Sequence, residues 1–254
     1  MSDFLNRMKS AAKADLKTIV LPEGEDPRTI VAATKIIEEG LAKIVILGNP
    51  DEINVPGATV IDPRNAEKHE EYAQKFAELR AKKGVTIEQA RAQVMDATYF
   101  GTMMVKMGDA DGLVSGSVNS TANTVRPALQ VIKTKPGQKL VSGAFLMCFK
   151  DHVAVFSDCA INLNPDAEQL SEIALQSAET ARAFGIDPKV GMLSYSTLGS
   201  GKGPDVDMVE EATKLLKEKA PDLPVVGSIQ FDAAWSPTVA ATKAKGNDVA
   251  GHVN

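Results

Sequence analysis

The segment Thr18–Pro50, TIVLPEGEDPRTIVAATKIIEEGLAKIVILGNP, decides the fold. Its opening "TIVL" is a short, continuous apolar run rich in β-branched residues, the pattern of a buried strand. Asp26, Pro27 and Gly40 then bracket a helix: an acidic N-cap, a proline at the first helical position and a glycine past the last turn. "AKIVILG" is a second buried run. Strand, helix and strand in succession make a βαβ unit, so the class is α/β with mainly parallel sheets.

The alternation continues on both sides of this unit. "MSDFLNRMKSAAKA" predicts a helix with Phe4, Leu5, Met8 and Ala12 on one side. "TVID" predicts a strand and "NAEKHEEYAQKFAELRAKKG" a charged helix ending at Gly84. Thr86 and Gln89 form a capping box that opens a single long helix, "TIEQARAQVMDATYFGTMMVKMG", whose methionines belong to the core. "DGLVSG" reads as a strand, "TANTVRPALQVIK" as a helix, and "KLVSGAFLMCF" with "HVAVFSDCA" as neighbouring strands. A second series follows. Asn164-Pro165 opens the helix "DAEQLSEIALQSAETARAFG", and "KVGMLSYST" is a strand. "PDVDMVEEATKLLKEKA" is a helix, "PVVGSIQFDAA" a strand and "PTVAATKAK" a final helix. Near Gly137 the chain divides into domains 1–138 and 139–254.

Bulk properties exclude several classes. The chain has 254 residues, with 28 Lys and Arg against 33 Asp and Glu, a net charge of −5. A nucleic-acid partner would call for a basic excess. No apolar run is long enough to span a bilayer, and the first residues lack the apolar core of a signal peptide, so the expected compartment is the cytoplasm. Cys148, Cys159 and the three histidines show no metal-ligand spacing.

One stretch invites a nucleotide reading and fails it. "SYSTLGSGKGPDVD", Ser194–Asp207, contains a Gly-Lys pair at Gly201 and Lys202. A phosphate-binding loop of the Walker type requires glycine where Ser196 stands and a hydroxyl residue where Gly203 stands. Three arginines are better placed for an anion. Arg28 lies in the first turn of a helix, where a bound anion would share its charge with the helix N-terminus; it could equally be a solvated arginine paired with Glu23, Glu25 or Asp26. Arg126 follows the elbow "SGSVNSTANTV" at a strand's carboxyl end, where open α/β sheets place ligands, although ordinary loops share that composition. Arg80 ends a charged helix near Lys82 and Lys83, which also suits a solvated face. Asp158 and Asp232 follow strands and are either site carboxylates or strand-end caps. Cys159 has no histidine evidently placed as its base and reads as a small buried residue.

Six segments taken together resemble the phosphate acetyltransferase family: "IVLPEGEDPRT", "AELRAKKGVT", "DADGLVSGSVNSTANTVRPALQVIKT", "VGMLSYSTLGSGKG", "SIQFDAA" and "GNDVAGHVN". They occur in family order across nearly the whole chain, and as a set they are highly specific. The resemblance implies reversible acetyl transfer between coenzyme A and phosphate, giving acetyl phosphate. It also implies a two-domain fold similar to isocitrate and isopropylmalate dehydrogenases, with the site in the interdomain cleft of a homodimer. No metal or cofactor is implied, coenzyme A being a substrate. Arg28, Arg80 and Arg126 match family arginines that bind coenzyme A and phosphate. Ser117, Thr124, Asp158, Ser194, Ser196 and Thr197 become candidates for the cleft. The family's N-D-L-S-R-G segment, with its catalytic serine and arginine and a nearby aspartate, does not occur in these residues. Asp151 and His152 also stand where some relatives carry a cysteine. The expectation is therefore a chain truncated relative to the family and inactive by itself. Rival readings are a phosphate butyryltransferase-like enzyme and a non-catalytic module that binds coenzyme A or another anion.

Overall fold

The computed structural model describes residues 2–254, which form two compact units, Ser2–Lys133 and Thr134–Asn254. Met1, the start of the first expected helix, lies outside the described residues.

In the first unit, α1 (Ser2–Ala14) precedes the βαβ unit of β1 (Thr18–Leu21), α2 (Pro27–Glu38) and β2 (Lys43–Leu47). Next come β3 (Thr59–Ile61), α3 (His69–Arg80), α4 (Ile87–Gln93), α5 (Ala97–Met107), β4 (Gly112–Leu113) and α6 (Thr121–Val131). The sheet runs β3-β2-β1-β4 and every pair is parallel. Side chains alternate between its faces, and both faces are buried. Val20, Val45 and Leu47 pack with Tyr72, Phe76, Phe100 and Met103 from α3 and α5. Leu21, Ile44 and Ile46 pack with Ala33 of α2 and with Ile53 and Val55. α5 meets the sheet through Gly101, where an added Cβ would stand 2.7 Å from Leu113 Cδ1 and 3.0 Å from Val20 Cγ1.

The strand order has a functional consequence. From β1 the chain crosses to β2 on one side, whereas β4 pairs on the other. The loops after β1 and β4 therefore leave the sheet in opposite directions. The crevice outside such a switch point is where open α/β sheets receive ligands.

The second unit contains an antiparallel pair, β5 (Ala144–Cys148) and β6 (Val153–Ser157), and a parallel pair, β7 (Val190–Leu193) and β8 (Val225–Ile229). Its helices are α7 (Ala167–Ala183), α8 (Pro204–Lys219), α9 (Phe231–Trp235) and α10 (Pro237–Lys243). α7 and α8 bury Ala174, Ala178, Val209, Ala212 and Leu216 against Met192 and Val225.

Several expected boundaries move, each for a local reason. The long helix after Thr86 is two helices: the Thr86–Gln89 capping box opens α4, and Asp96 then caps α5 by accepting from the N–H groups of Thr98 (2.9 Å) and Tyr99 (3.0 Å). α7 begins beyond Asn164-Pro165, because Asp166 and Gln169 form its capping box. β7 ends at Leu193, before the serines, and β8 ends at Ile229, where "FDAAW" turns into α9. The strand expected over "DGLVSG" is only Gly112–Leu113.

Candidate functional site

Arg80 and Arg126 converge. Arg80 is the last residue of α3, and Arg126 stands on α6 with Asn123 and Gln130, spaced to share one helical face. All four line a pocket of about 850 Å³ in the first unit, together with Lys83, Gln89, Gln93, Asp96, Tyr99 and Asn119. Three cations face one carboxylate there, and the Asp96 charge is already engaged as the cap of α5. The Nε–H of Arg80 is buried and has no protein acceptor. A buried donor without a partner is unusual in a native fold, and a bound oxyanion would supply the acceptor.

Tyr99 forms the inner wall. Its ring meets Phe76 edge-on at 5.6 Å, and its hydroxyl donates to Gln130 Oε1 at 3.0 Å. Burial raises the Tyr99 pKa, the facing Arg126 and Arg80 opposing it. The phenol therefore stays neutral and presents a hydrogen-bonding edge rather than a charge.

Arg28 does not line this pocket. Its guanidinium donates to both Asp26 carboxylate oxygens, at 2.6 Å from Nη2 to Oδ2, and to the carbonyl of Ser117. This is the Asp26 pairing left open by the sequence. The side chain is largely exposed nonetheless.

The elbow after β4 contains a feature the sequence did not announce. The Glu23 carboxylate, on the loop after β1, accepts from four consecutive backbone N–H groups: Gly116, Ser117 and Val118 at 2.9 Å and Asn119 at 2.7 Å. The Ser117 hydroxyl donates to it as well, at 2.8 Å. Burial disfavours the Glu23 charge, but the N–H donors of Asn119, Val118 and Ser117 outweigh it and lower the pKa to about 2. The hydroxyl and N–H of Ser117 are thus committed inside the loop. Thr124, by contrast, has a buried hydroxyl without a partner. Nothing in the residue pattern marks Glu23 beyond its place at a strand's carboxyl end.

The remaining sequence candidates lie in the second unit. Asp158 accepts from the N–H groups of Ala160 (2.9 Å), Ile161 (2.8 Å) and Asn162 (3.1 Å) and from the Asn162 amide. Burial opposes its charge, yet these donors hold the carboxyl below the ordinary range. Its geometry is that of a cap on the loop after β6. Asp232 pairs with Lys243 at 2.7 Å in the first turn of α9. Ser196 and Thr197 are buried, the first hydroxyl organising its own loop and the second tying that loop to Gln230. Ser196 Oγ accepts from the Gly201 N–H at 2.8 Å, and Thr197 Oγ1 accepts from the Gln230 N–H at 3.0 Å. Ser194 is half-buried and its hydroxyl accepts weakly from the Ser196 N–H, at 3.3 Å. Cys148 and Cys159 are free thiols, both half-buried. Among the described residues no cluster of three or more His, Cys, Asp or Glu could hold a metal, and no helix is long and apolar enough to cross a membrane.

Comparison with known proteins bears on this geometry. A family model described as phosphate acetyl/butaryl transferase matches residues 3–254. A phosphate acetyltransferase of Acetivibrio thermocellus is 49% identical over 265 aligned positions, covering 99% of this chain and 80% of that protein. Similar enzymes of Nitratidesulfovibrio vulgaris and Escherichia coli are 50% and 49% identical, but the chain spans only 35% and 36% of their lengths. A phosphotransacetylase structure from Streptococcus pyogenes superposes with a TM-score of 0.92 at 44% identity, covering 100% of this chain and 80% of that one. A branched-chain phosphotransacylase from Enterococcus faecalis, at 17% identity and a TM-score of 0.68, shares the fold.

Proposed function

The chain belongs to the phosphate acetyl/butaryl transferase family, and from that premise we propose that its first unit carries the coenzyme A and phosphate site of a phosphate acetyltransferase. The reaction is reversible transfer of an acetyl group between the coenzyme A thiol and inorganic phosphate, giving acetyl phosphate. The observation that carries this reading is the convergence of Arg80, Arg126 and Lys83 on one pocket.

Coenzyme A brings several phosphate charges on a long, flexible body. A cationic pocket of this size accommodates part of such a ligand, and guanidinium groups bind its oxyanions in bidentate fashion. Arg80 Nε–H is the first donor available to it, and Arg126 reaches from the facing helix. Asn119, Asn123 and Gln130 offer amides that fix orientation. Tyr99 contributes a neutral wall on which an apolar or aromatic portion can rest. Arg28, bound to Asp26, is a secondary phosphate contact that its exposure leaves accessible.

The reading carries further proposals. The two units follow the isocitrate and isopropylmalate dehydrogenase plan, and the protein acts as a cytoplasmic homodimer. The chemistry needs no metal or cofactor. The catalytic serine, arginine and aspartate of the family are not among these residues, so residues 2–254 bind coenzyme A without turning it over. Calorimetry with coenzyme A, paired with an assay of acetyl-CoA formation from acetyl phosphate, tests both parts. Saturable binding without turnover supports the reading. Absence of binding to the folded chain contradicts it, and robust turnover would place the catalytic groups within these residues.

A further inference from the structure

Four consecutive N–H groups and a hydroxyl converging on one point form a cradle for an oxyanion. Here, at the switch point between β1 and β4, the cradle of residues 116–119 is filled from within by Glu23. Its position bears on the pocket. Asn119, the last residue of the cradle, lines the pocket and donates its side-chain amide to Thr98 Oγ1 at 3.3 Å. The next residue, Ser120, caps α6 by accepting from the Asn123 N–H. From that cap α6 carries Asn123, Arg126 and Gln130 into the pocket.

We infer that Glu23 is a positioning residue: its carboxylate stands in for a bound anion in the 116–119 cradle and thereby sets where α6 presents Arg126 and its neighbouring amides to the ligand. The inference rests on the reading of that pocket as a coenzyme A site, and it names the residue that prearranges one wall. The single loop between β1 and α2 meets the elbow through two acidic residues. Glu23 takes the N–H groups, while Arg28, held by Asp26, takes the Ser117 carbonyl. The elbow's backbone is therefore clamped through both its donors and an acceptor.

An internal anion of this kind is replaceable by an external one. In Glu23→Ala the carboxylate is removed and the donors remain, so coenzyme A should bind at least about tenfold more weakly, a difference calorimetry reads directly. Added formate should restore most of that loss, whereas chloride at the same ionic strength should not. Glu23→Asp should recover part of it, and Glu23→Gln, which keeps shape and loses charge, should resemble the alanine variant. Unchanged affinity in a folded Glu23→Ala or Glu23→Gln would overturn the inference. Where the alanine variant does not fold, Glu23→Gln carries the test. Hydrogen exchange supplies a ligand-independent reading: amides 116–119 and the first turn of α6 should exchange faster in Glu23→Gln than in the parent chain. Equal exchange would overturn the inference even if the parent chain bound no coenzyme A, a result that would by itself count against the pocket's assignment.

Discussion

Arg80 and Arg126 come from different helices, and neither has an acidic partner in the pocket that would cancel it. Their guanidinium groups carry no carboxylate partner among the described residues, whereas Arg28 offers a ligand only the donors that Asp26 and Ser117 leave unused. Arg126→Ala should weaken coenzyme A binding by about tenfold or more, the worth of one charge-assisted contact. Arg80→Lys keeps the charge but loses the planar fork and the buried Nε–H; calorimetry should show a loss comparable to that of Arg80→Ala. The three arginines were visible as anion candidates in the sequence, but their rival readings could not be separated there. Pairing depends on which acidic side chain the backbone brings within reach. Glu23 was visible only as a possible partner of Arg28, since its actual partners are N–H groups more than ninety residues away and backbone donors carry no sequence signature. Asp158 read from the sequence as either a site carboxylate or a strand-end cap, and its carboxylate accepts from the loop that follows.

At the scale of elements, the βαβ unit from Thr18 to Pro50 was legible because its caps and its apolar runs agree. The break between α4 and α5 was not. Apolar periodicity persists through "QVMDATYF", and only the turn of the chain lets Asp96 act as a cap rather than an interior residue. That cap can be measured. Asp96→Ala should cost about 1 kcal/mol of stability in denaturant unfolding, the usual value of an N-cap. Gly24 marks another tight point, since an added Cβ would lie 2.5 Å from the Leu47 carbonyl oxygen and 2.6 Å from Ile46 Cγ2. Gly24→Ala should therefore destabilise the first unit by about 1–3 kcal/mol, through overpacking rather than lost contact. The same substitution at Gly40, which has open space around it and a left-handed backbone at φ +65°, should act through backbone strain instead.

At the scale of the molecule, charge and pH report the same design. The net charge of −5 repels a polyanionic ligand at long range, while the pocket attracts it locally. Binding of coenzyme A should consequently weaken as salt is raised, because exposed ion pairs are screened beyond about 10 Å at 0.1 M ionic strength. Glu23 adds an acid limb. Its folded pKa, about 2, lies below the ordinary glutamate value of 4.5. The stabilisation its charge provides is therefore complete above about pH 4.5 and declines as pH falls toward 2. The melting temperature of the parent chain should fall more steeply across that window than that of Glu23→Gln. Parallel pairing follows from the βαβ alternation in the sequence, whereas the switch point rests on β4 joining the free side of β1. Nor does the pocket follow from that alternation, because it depends on how α3 and α6 are set against the sheet.

The most direct test compares coenzyme A binding by the parent chain and by the Arg80→Ala/Arg126→Ala double variant, each shown by circular dichroism to be folded. Saturable one-to-one heat from the parent chain, lost in the double variant, is the expected outcome. Equal affinity in the two folded proteins would contradict the assignment of the Arg80–Arg126 pocket as the site that receives the ligand.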